Sequence, residues 1–171
     1  MEDNFSFLPA QLVRQMGVAE IVAYNQQTSR YGLTLTQQEA GELVETRSRS
    51  LAATGRVEFG GGVIGKLIDA FCDSPLLLQK EYAETLNELV EAFYYYKNET
   101  LDTLSDDELI ALMKEYYNTR SGGSLELLTG RELEKLARGI RFAGFDDEDE
   151  PEDEESEAQT GYDDYGDRGY F

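Results

Sequence analysis

The sequence predicts an all-α protein, a compact bundle of about six helices followed by a disordered acidic C-terminal tail. Three observations lead to this fold class. Apolar residues recur at helical spacing through the first 145 residues, three Ser/Thr-x-x-Glu capping boxes mark helix starts, and strand-like alternation is almost absent. From residue 146 to 171 the composition changes, with 13 acidic side chains and a single arginine. We therefore expect a helical domain over residues 1–145 and a disordered tail over 146–171.

The first half of the domain contains three predicted helices. Pro9 suits the first position of a helix that continues to about residue 27. Thr36 and Glu39 form a capping box for a second helix to about residue 53, and Gly55 suits its C-terminal cap. A third helix is expected over about 63–73. The residues predicted to face the core are Leu12, Met16, Ala19 and Ala23 (flanked by Val13 and Val22), then Ala40, Leu43, Val44 and Leu51, then Ile64, Leu67, Ile68 and Phe71.

The second half also contains three predicted helices. Ser74-Pro75 is typical of a helix start, and the helix that follows it continues to about residue 97. Ser105 with Glu108 forms the capping box of a fifth helix to about residue 117. Thr129 with Glu132 forms that of a sixth helix to about residue 138. The predicted inward residues are Leu78, Tyr82, Leu86, Leu89, Phe93 and Tyr96 in the fourth helix, and Leu109, Leu112, Met113 and Tyr116 in the fifth.

A short repeated pattern suggests one contact between the two halves of the domain. The segments 55–59 and 123–127 share the order Gly-x-apolar-Glu-apolar, and each lies between two predicted helices. By analogy with paired EF-hand loops, we hypothesise one minimal antiparallel β-bridge, formed by Val57 and Leu125. This hypothesis requires the two residues to lie side by side.

The charge and the rare residue types exclude several classes of function. The net charge of −20 disfavours direct binding to nucleic acid and to anionic membranes, because both would repel the chain. The chain has no histidine, which removes the usual acid–base catalyst, the Ser–His and Cys–His nucleophile pairs and the commonest metal ligand. The single cysteine, Cys72, follows an apolar run and is interpreted as a small core residue. Since no stretch resembles a signal peptide or a membrane span, we expect a cytoplasmic protein. Because the chain lacks histidine and has a single cysteine, we expect no cofactor and no metal.

Three patterns resemble catalytic or metal-binding motifs, and each also has a plainer explanation. The segment 60–66 fits the Gly-x4-Gly-Lys part of a phosphate-binding P-loop, but Leu67 replaces the Ser or Thr that binds magnesium. The segment 118–129 has a glycine at the sixth position of an EF-hand loop but lacks the loop's carboxylate ligands. Acidic helix faces resemble those of all-α NTP pyrophosphatases, and they define one alternative function, a magnesium-dependent nucleotide hydrolase using Glu39, Glu42, Glu84 and Glu88. The plainer explanations are a glycine hinge, a turn and a solvated helix face.

An aromatic cluster and two charged segments indicate protein binding. Residues 93–96 are four consecutive aromatics, which cover every side of a helix and cannot all face one core. We therefore predict a contact surface for a protein partner that itself has a basic surface. The residues assigned to this surface are Tyr94, Tyr95, Tyr116 and Tyr117 in the domain and Asp146, Asp147, Glu148, Asp149 and Glu150 in the tail. A second possibility is that the tail folds back on a basic patch of its own domain, made of Arg131, Lys135, Arg138 and Arg141.

The predicted function is accordingly a non-catalytic protein-binding or adaptor module, whose acidic tail engages a partner electrostatically. A DNA-mimic inhibitor of a nucleic-acid-binding protein is a further alternative, because carboxylates spaced like phosphates can occupy such a protein's binding site. Over residues 93–99, 105–110 and 123–126 the sequence resembles a family of small uncharacterised bacterial proteins with no assigned function. This resemblance implies no activity and assigns no functional residue. The sequence leaves the oligomeric state open.

Overall fold

The computed structural model describes residues 9–58 and 62–143, and all regular structure in these ranges is helical. Within them, six helices contain eight or more residues: α1 (Ala10–Ala23), α2 (Gln37–Thr54), α3 (Ile64–Phe71), α4 (Gln79–Glu99), α5 (Asp106–Asn118) and α6 (Leu133–Ala143). The shorter elements are a turn of α-helix (Asn25–Thr28), a 3-10 turn (Ser29–Tyr31), a second α-helical turn (Leu125–Leu127) and a π-helical segment (Leu128–Glu132). The prediction of an all-α bundle of about six helices is confirmed. The predicted tail over 146–171 lies outside the described residues.

α4 is the central helix of the bundle, and α2, α3, α5 and α6 all pack against it. Leu78 was expected on its apolar face but precedes the helix and is 52% exposed, while Leu77 is buried instead. Val90 and Tyr94 are buried on a second side of the helix, so that α4 is enclosed more completely than its apolar stripe predicts. The predicted inward residues that the structure buries on this helix are Tyr82, Leu86, Leu89, Phe93 and Tyr96.

The helices around α4 contribute the rest of the core largely as predicted. Cys72 is buried at the end of α3, and burial raises the pKa of its thiol. Of the residues predicted to face inward, Val44, Leu51 and Leu112 are half-buried. The buried ones are Ala40 and Leu43 of α2, Ile64, Leu67, Ile68 and Phe71 of α3, and Leu109, Met113 and Tyr116 of α5.

Of the predicted capping boxes, the one at Ser105 forms completely, and the one at Thr36 forms only its bond to the Glu39 N–H. The Thr36 hydroxyl accepts a hydrogen bond from the Glu39 N–H at 3.1 Å and starts α2. At α5, Ser105 and Glu108 form a complete capping box, in which each side chain accepts a hydrogen bond from the other residue's backbone N–H. Gly55 ends α2 in a left-handed conformation with φ 66°, which a glycine adopts without steric cost.

The predicted start of α4 at Ser74-Pro75 is wrong, because the helix begins five residues after the serine, at Gln79. Ser74 is buried, and its hydroxyl donates a hydrogen bond to the side-chain oxygen of Asn118 at 2.5 Å. This bond to the end of α5 holds the residue in a turn that joins α3 to α4. The serine that the sequence predicts as a helix cap instead connects the turn before α4 to the end of α5.

The predicted capping box at Thr129 is also wrong, because the chain is already helical there. Ser124 is the cap, and its hydroxyl accepts a hydrogen bond from the Leu127 N–H at 3.2 Å. The Thr129 hydroxyl instead donates to the Leu125 carbonyl oxygen at 2.9 Å, as threonines do inside helices. Glu132 does not reach back to a cap but is buried in the π-helical segment.

The hypothesis of a β-bridge between Val57 and Leu125 is wrong as well. Leu125 opens the helical turn that leads into the π-helical segment, so its backbone groups are used within the helix. Val57 lies in irregular structure and is 79% exposed. In both described ranges no residue adopts strand or bridge structure.

The predicted orientation of α1 is reversed. Leu12 and Met16, expected in the core, are 40% and 57% exposed, and Ala19 and Ala23 are also exposed. Ile21, which was not on the predicted stripe, is the buried residue of this helix. Pro9 serves as the N-terminal cap, so α1 begins one residue later than predicted.

The reversal follows from how α1 sits on α2. Gly17 allows a close approach, since a Cβ added there would lie 3.3 Å from Cγ2 of Val44. Arg14 extends along the same face and forms an ion pair with Glu45 at 2.8 Å. A small residue and a long cation therefore define the packed face, and the longer apolar side chains are left outside.

The connection between α4 and α5 contains two residues in a left-handed conformation, Leu101 (φ 56°) and Asp102 (φ 55°). Arg56, which follows α2, donates to both carboxylate oxygens of Asp102 at 2.6 and 2.8 Å. Lys97, at the end of α4, is buried, pairs with Asp106 at 2.9 Å and donates to the Leu104 carbonyl. The loop is thus held from both sides by cations.

The two described glycines of the segment 60–66, Gly62 just before α3 and Gly65 within it, are explained by packing. A Cβ on Gly65 would lie 2.8 Å from Cζ of Tyr24 and even closer to its hydroxyl. Gly62 has φ 67°, and a Cβ there would overlap the Arg47 side chain. Lys66 forms an ion pair with Asp107 of α5 at 2.9 Å. The described part of the P-loop-like segment is therefore explained without a nucleotide, and residues 59–61 lie outside the described ranges.

The position of the last helical cap is testable by comparing two alanine substitutions. We expect Ser124→Ala to lower the free energy of unfolding by about 1 kcal/mol, because it removes a helix cap. We expect Thr129→Ala to change it by less than about 0.5 kcal/mol, because that hydroxyl only bonds within the helix. Urea unfolding followed by circular dichroism measures both values. The opposite order would place the cap at Thr129.

The packing explanation of Gly65 predicts opposite effects for two glycine-to-alanine substitutions. Gly65→Ala should destabilise the protein by about 1–3 kcal/mol, because the new methyl group overlaps Tyr24. Gly139→Ala in α6 meets no atom within 4 Å and should stabilise it by about 0.5–1 kcal/mol through helix propensity. Thermal unfolding of both variants provides the comparison. Equal effects of the two substitutions would contradict the explanation.

Candidate functional site

The four tyrosines predicted to form a contact surface occupy very different environments. Tyr94 is fully buried, and Tyr116 and Tyr117 are buried as well. Only Tyr95 keeps its ring in solvent, with 49% of the residue exposed. The surface predicted from four tyrosines is therefore corrected to a surface around one.

The three buried tyrosines are covered by different elements: Tyr116 and Tyr117 lie on α5, which packs against α3 and α4, whereas Tyr94 of α4 faces α2 and the segment that follows it. Tyr117 meets Phe71 of α3 edge-on, with 5.4 Å between the ring centroids. Tyr94 points from α4 toward the segment after α2, where its hydroxyl donates to Glu58 at 2.7 Å. The sequence shows that one of the residues 93–96 must face outward, but the contacts of neighbouring helices decide which one.

A polar cluster beneath the surface holds Tyr94 in place. The same Glu58 oxygen that accepts from Tyr94 also accepts from Arg47 of α2 at 3.1 Å. Burial and the neighbouring Glu58 raise the pKa of the Tyr94 phenol, so it remains a hydrogen-bond donor. This cluster joins α2, the segment after it and α4, and we assign it a structural role.

Tyr95 lies in a surface groove of about 810 Å³ between three elements. One wall is the C-terminal half of α2, the floor is α4, and the other wall is the π-helical segment with the start of α6. The ring of Tyr95 is fixed by an edge-on contact with Tyr96, at 4.9 Å between centroids. Other residues lining the groove are Arg49, Ala53, Glu88, Glu91, Ala92 and Glu134. We call this the Tyr95 groove.

Carboxylates dominate the charge of the Tyr95 groove. Glu88 and Glu91 are exposed and form no ion pair within the described residues. Burial, together with the nearby Glu84 and Glu91, raises the pKa of Glu88. Glu134 accepts a hydrogen bond from the Tyr96 hydroxyl at 3.2 Å. An aromatic face beside several carboxylates is suited to a lysine or arginine side chain from another molecule.

The predicted basic patch on the last helix is partly neutralised within the protein. Arg131 bonds to Glu132 at 2.7 Å and to the carbonyl of Arg120 at 3.0 Å, and Arg141 pairs with Glu99. Arg138, whose side chain is 68% exposed, lies 3.8 Å from Glu134, and Lys135 is exposed. The acidic tail residues predicted to bind this basic patch, Asp146 to Glu150, lie outside the described residues.

The acidic residues assigned to a hydrolase do not form a described metal site. Glu42, Glu84 and Glu88 are exposed, and Glu39 is half-buried. Across residues 9–58 and 62–143, no three His, Cys, Asp or Glu side chains lie close enough to hold a metal ion. Within the same ranges, no helix combines the length and the apolar character needed to cross a bilayer.

The burial of tyrosines on α4 predicts a loss of stability at alkaline pH. Burial raises the pKa of Tyr82 from 10.0 to about 12 and also raises the pKa of Tyr94 and Tyr96. The unfolded chain therefore loses these protons first, and stability falls as the pH rises from about 10 toward 12. For Tyr82 alone we expect a loss of about 1 kcal/mol between pH 10 and 11.

Urea unfolding of the wild type and of Tyr82→Phe at pH 8, 10 and 11 measures this contribution. The comparison at pH 8 gives the packing cost of the substitution, and the change between pH 8 and pH 11 isolates ionisation. A pH dependence that is identical in the two proteins would show that Tyr82 ionises as easily in the folded chain as in the unfolded one.

Comparison with known proteins gives one match. A family model described as "Family of unknown function (DUF6323)" matches residues 20–146. No curated protein matches the chain, and no solved structure does. The resemblance to a family without an assigned function, expected from the sequence, is confirmed. Because the matched residues make up well over half of the chain, the protein belongs to this family of unknown function, DUF6323.

Proposed function

We propose that this protein is a non-catalytic binding module for a basic segment of a partner protein. The partner's lysine or arginine side chains would enter the Tyr95 groove, and the acidic tail would attract the partner from a distance. The observation that carries the proposal is the juxtaposition of the exposed Tyr95 ring with the carboxylates Glu88 and Glu91.

The groove supports the proposal through the chemistry of its lining. A cation over a tyrosine ring gains about 0.5–1 kcal/mol at an exposed site, and a neighbouring carboxylate adds a charge-assisted hydrogen bond. Glu88 and Glu91 have no cation of their own among the described side chains. Arg49, the cation on the α2 wall, is already bonded to Thr46 at 3.2 Å. A bound lysine or arginine would therefore meet carboxylates that are free to pair.

The sequence of the tail supports the second part of the proposal. Residues 146–157 contain ten acidic side chains and no basic one, directly after the domain. A dense charge of this kind accelerates the association of oppositely charged partners, and salt weakens the effect. The tail would thus act on the rate of encounter, while the groove would act on the lifetime of the complex.

The two alternative functions have less support. Ion pairs join nine different carboxylates of the described residues to lysines and arginines, which is a mixed surface rather than the phosphate-like one of a DNA mimic. The glutamates assigned to a magnesium-dependent hydrolase remain a set of helix-surface residues. Both functions stay predictions, and neither is developed further. Folding of the tail onto Lys135 and Arg138 is an outcome that the following experiment detects.

The proposal predicts separate effects on affinity and on association rate. The probe is a labelled 16-residue peptide rich in lysine and arginine, and its glutamine-substituted counterpart measures binding without charge. Tyr95→Ala should weaken binding of the basic peptide about threefold to fivefold, through faster dissociation. Deleting residues 146–171 should slow association about tenfold at low salt and much less at 0.5 M salt. Stopped-flow fluorescence measures both rates.

The matched control for Tyr95 is Tyr31→Ala, which removes a similarly exposed tyrosine that already faces Arg30 at 4.8 Å. The matched control for the deletion is a full-length chain with the ten acids of 146–157 changed to amides. Equal losses in Tyr95→Ala and Tyr31→Ala would refute the groove as the binding site. Unchanged or faster association after the deletion would refute steering by the tail and favour its closure on the domain.

A further inference from the structure

Among residues 9–58 and 62–143, none covers the apolar stripe on the outer face of α1. Leu12, Met16, Ala19 and Ala23 lie on its outer face, and Val13 beside them is 54% exposed. These are the residues whose spacing predicts a core face, and none of them is charged. A contiguous row of exposed apolar residues is typical of a contact with another surface.

The stripe is fixed in its outward position. The inner face of α1 is held to α2 by the close approach of Gly17 to Val44 and by the ion pair of Arg14 with Glu45. Ile21 is buried at the end of this face. Rotating α1 to bury the stripe would break these contacts, so the core that the described residues form does not offer the stripe a partner.

The spacing of the stripe specifies a helix as its partner. The steps from Leu12 to Met16, Ala19 and Ala23 are four, three and four residues, which is the seam of a pair of helices packed at a small angle. Such a seam accepts a second helix whose side chains fall between its own.

We propose that the second helix is α1 of another copy, packed antiparallel. In the antiparallel register centred between residues 17 and 18, Leu12 faces Ala23 of the second copy and Met16 faces its Ala19. Each layer then combines one large and one small side chain, which gives even packing along the seam. A parallel pair would instead place Met16 against Met16 and Ala19 against Ala19. The large side chains would then be crowded at the N-terminal end of the pair, and the alanines at the other end would leave a gap.

The charges beside the seam are compatible with self-association. The flanking positions in this register are Val13, Gln15, Glu20 and Val22. Val13 lies beside Val22 of the second copy, and Gln15 lies beside its Glu20, where an amide can donate to a carboxylate. Two chains of net charge −20 would therefore meet through flanking positions of α1 that pair no carboxylate with another carboxylate.

The size of the contact sets its strength. α1 has 14 residues, and two such helices bury less than the roughly 1,200–2,000 Å² of a standard interface. We therefore expect a reversible dimer with a dissociation constant of roughly 10–100 µM. Salt should strengthen the dimer, because it screens the repulsion between the acidic chains, whereas it weakens binding of a basic segment. The dimer is thus independent of the proposed function.

Sedimentation velocity of the full chain from about 5 to 500 µM tests the association. The weight-average mass should rise from 19.3 kDa toward twice that value, and Met16→Glu should keep the chain monomeric throughout. Val57→Glu is the matched control, since it places the same charge on an exposed apolar residue far along the chain. Circular dichroism verifies that both variants fold. A monomer at every concentration, or a dimer that Met16→Glu leaves unchanged, would overturn the proposal.

Disulfide cross-linking tests the antiparallel register. Met16→Cys and Ala19→Cys are prepared separately and oxidised alone and as a mixture. The mixture should give at least about fivefold more cross-linked dimer than either variant alone, because residues 16 and 19 face each other only in the antiparallel pair. Cys72 is retained, since it is buried in the core. Efficient cross-linking of Met16→Cys alone would overturn the proposed register.

Discussion

The structure depends on the burial of a helix that is rich in tyrosine. α4 is packed against four other helices, and it brings phenol groups as well as apolar side chains into the interior. A buried hydroxyl without a partner costs stability, so the surrounding elements must supply acceptors. Glu58 supplies one for Tyr94, and the carbonyl of Thr129 supplies one for Tyr96. These bonds require the segment after α2 and the π-helical segment to lie where they do.

Much of the helical architecture could be predicted because its signals are local. The caps at Thr36 and Ser105 are satisfied within four residues, and the stripe of α4 depends only on helical spacing. The errors arise where a residue of a local signal bonds to a distant element instead. Ser74 uses its hydroxyl on Asn118, which lies 44 residues along the chain. The predicted orientation of α1 is wrong for a related reason, since the contacts of Gly17 and Arg14 with α2 determine which face of the helix packs.

The candidate site was predictable only as a region. Four consecutive aromatics require at least one of them to face outward, and the structure leaves Tyr95 exposed. The binding role assigned to the cluster stays a prediction. Whether Tyr94 or Tyr95 is exposed depends on how α2 and the segment after it pack on α4, which no local pattern encodes. The carboxylates around Tyr95 come from α4 and from the start of α6, some 40 residues apart in sequence. The fold brings these carboxylates together, and the pattern of acidic residues along each helix does not predict it.

The left-handed pair Leu101 and Asp102 has a consequence for the position of α5. Residues with side chains occupy this conformation at a cost of roughly 1–2 kcal/mol each, and here Arg56 and Lys97 anchor the chain on both sides of it. The tight reversal determines the direction in which α5 returns across α3 and α4. The angle adopted by these two backbone residues therefore helps to bury Tyr116 and Tyr117 of α5, while Tyr95 stays exposed in a groove that α5 does not line.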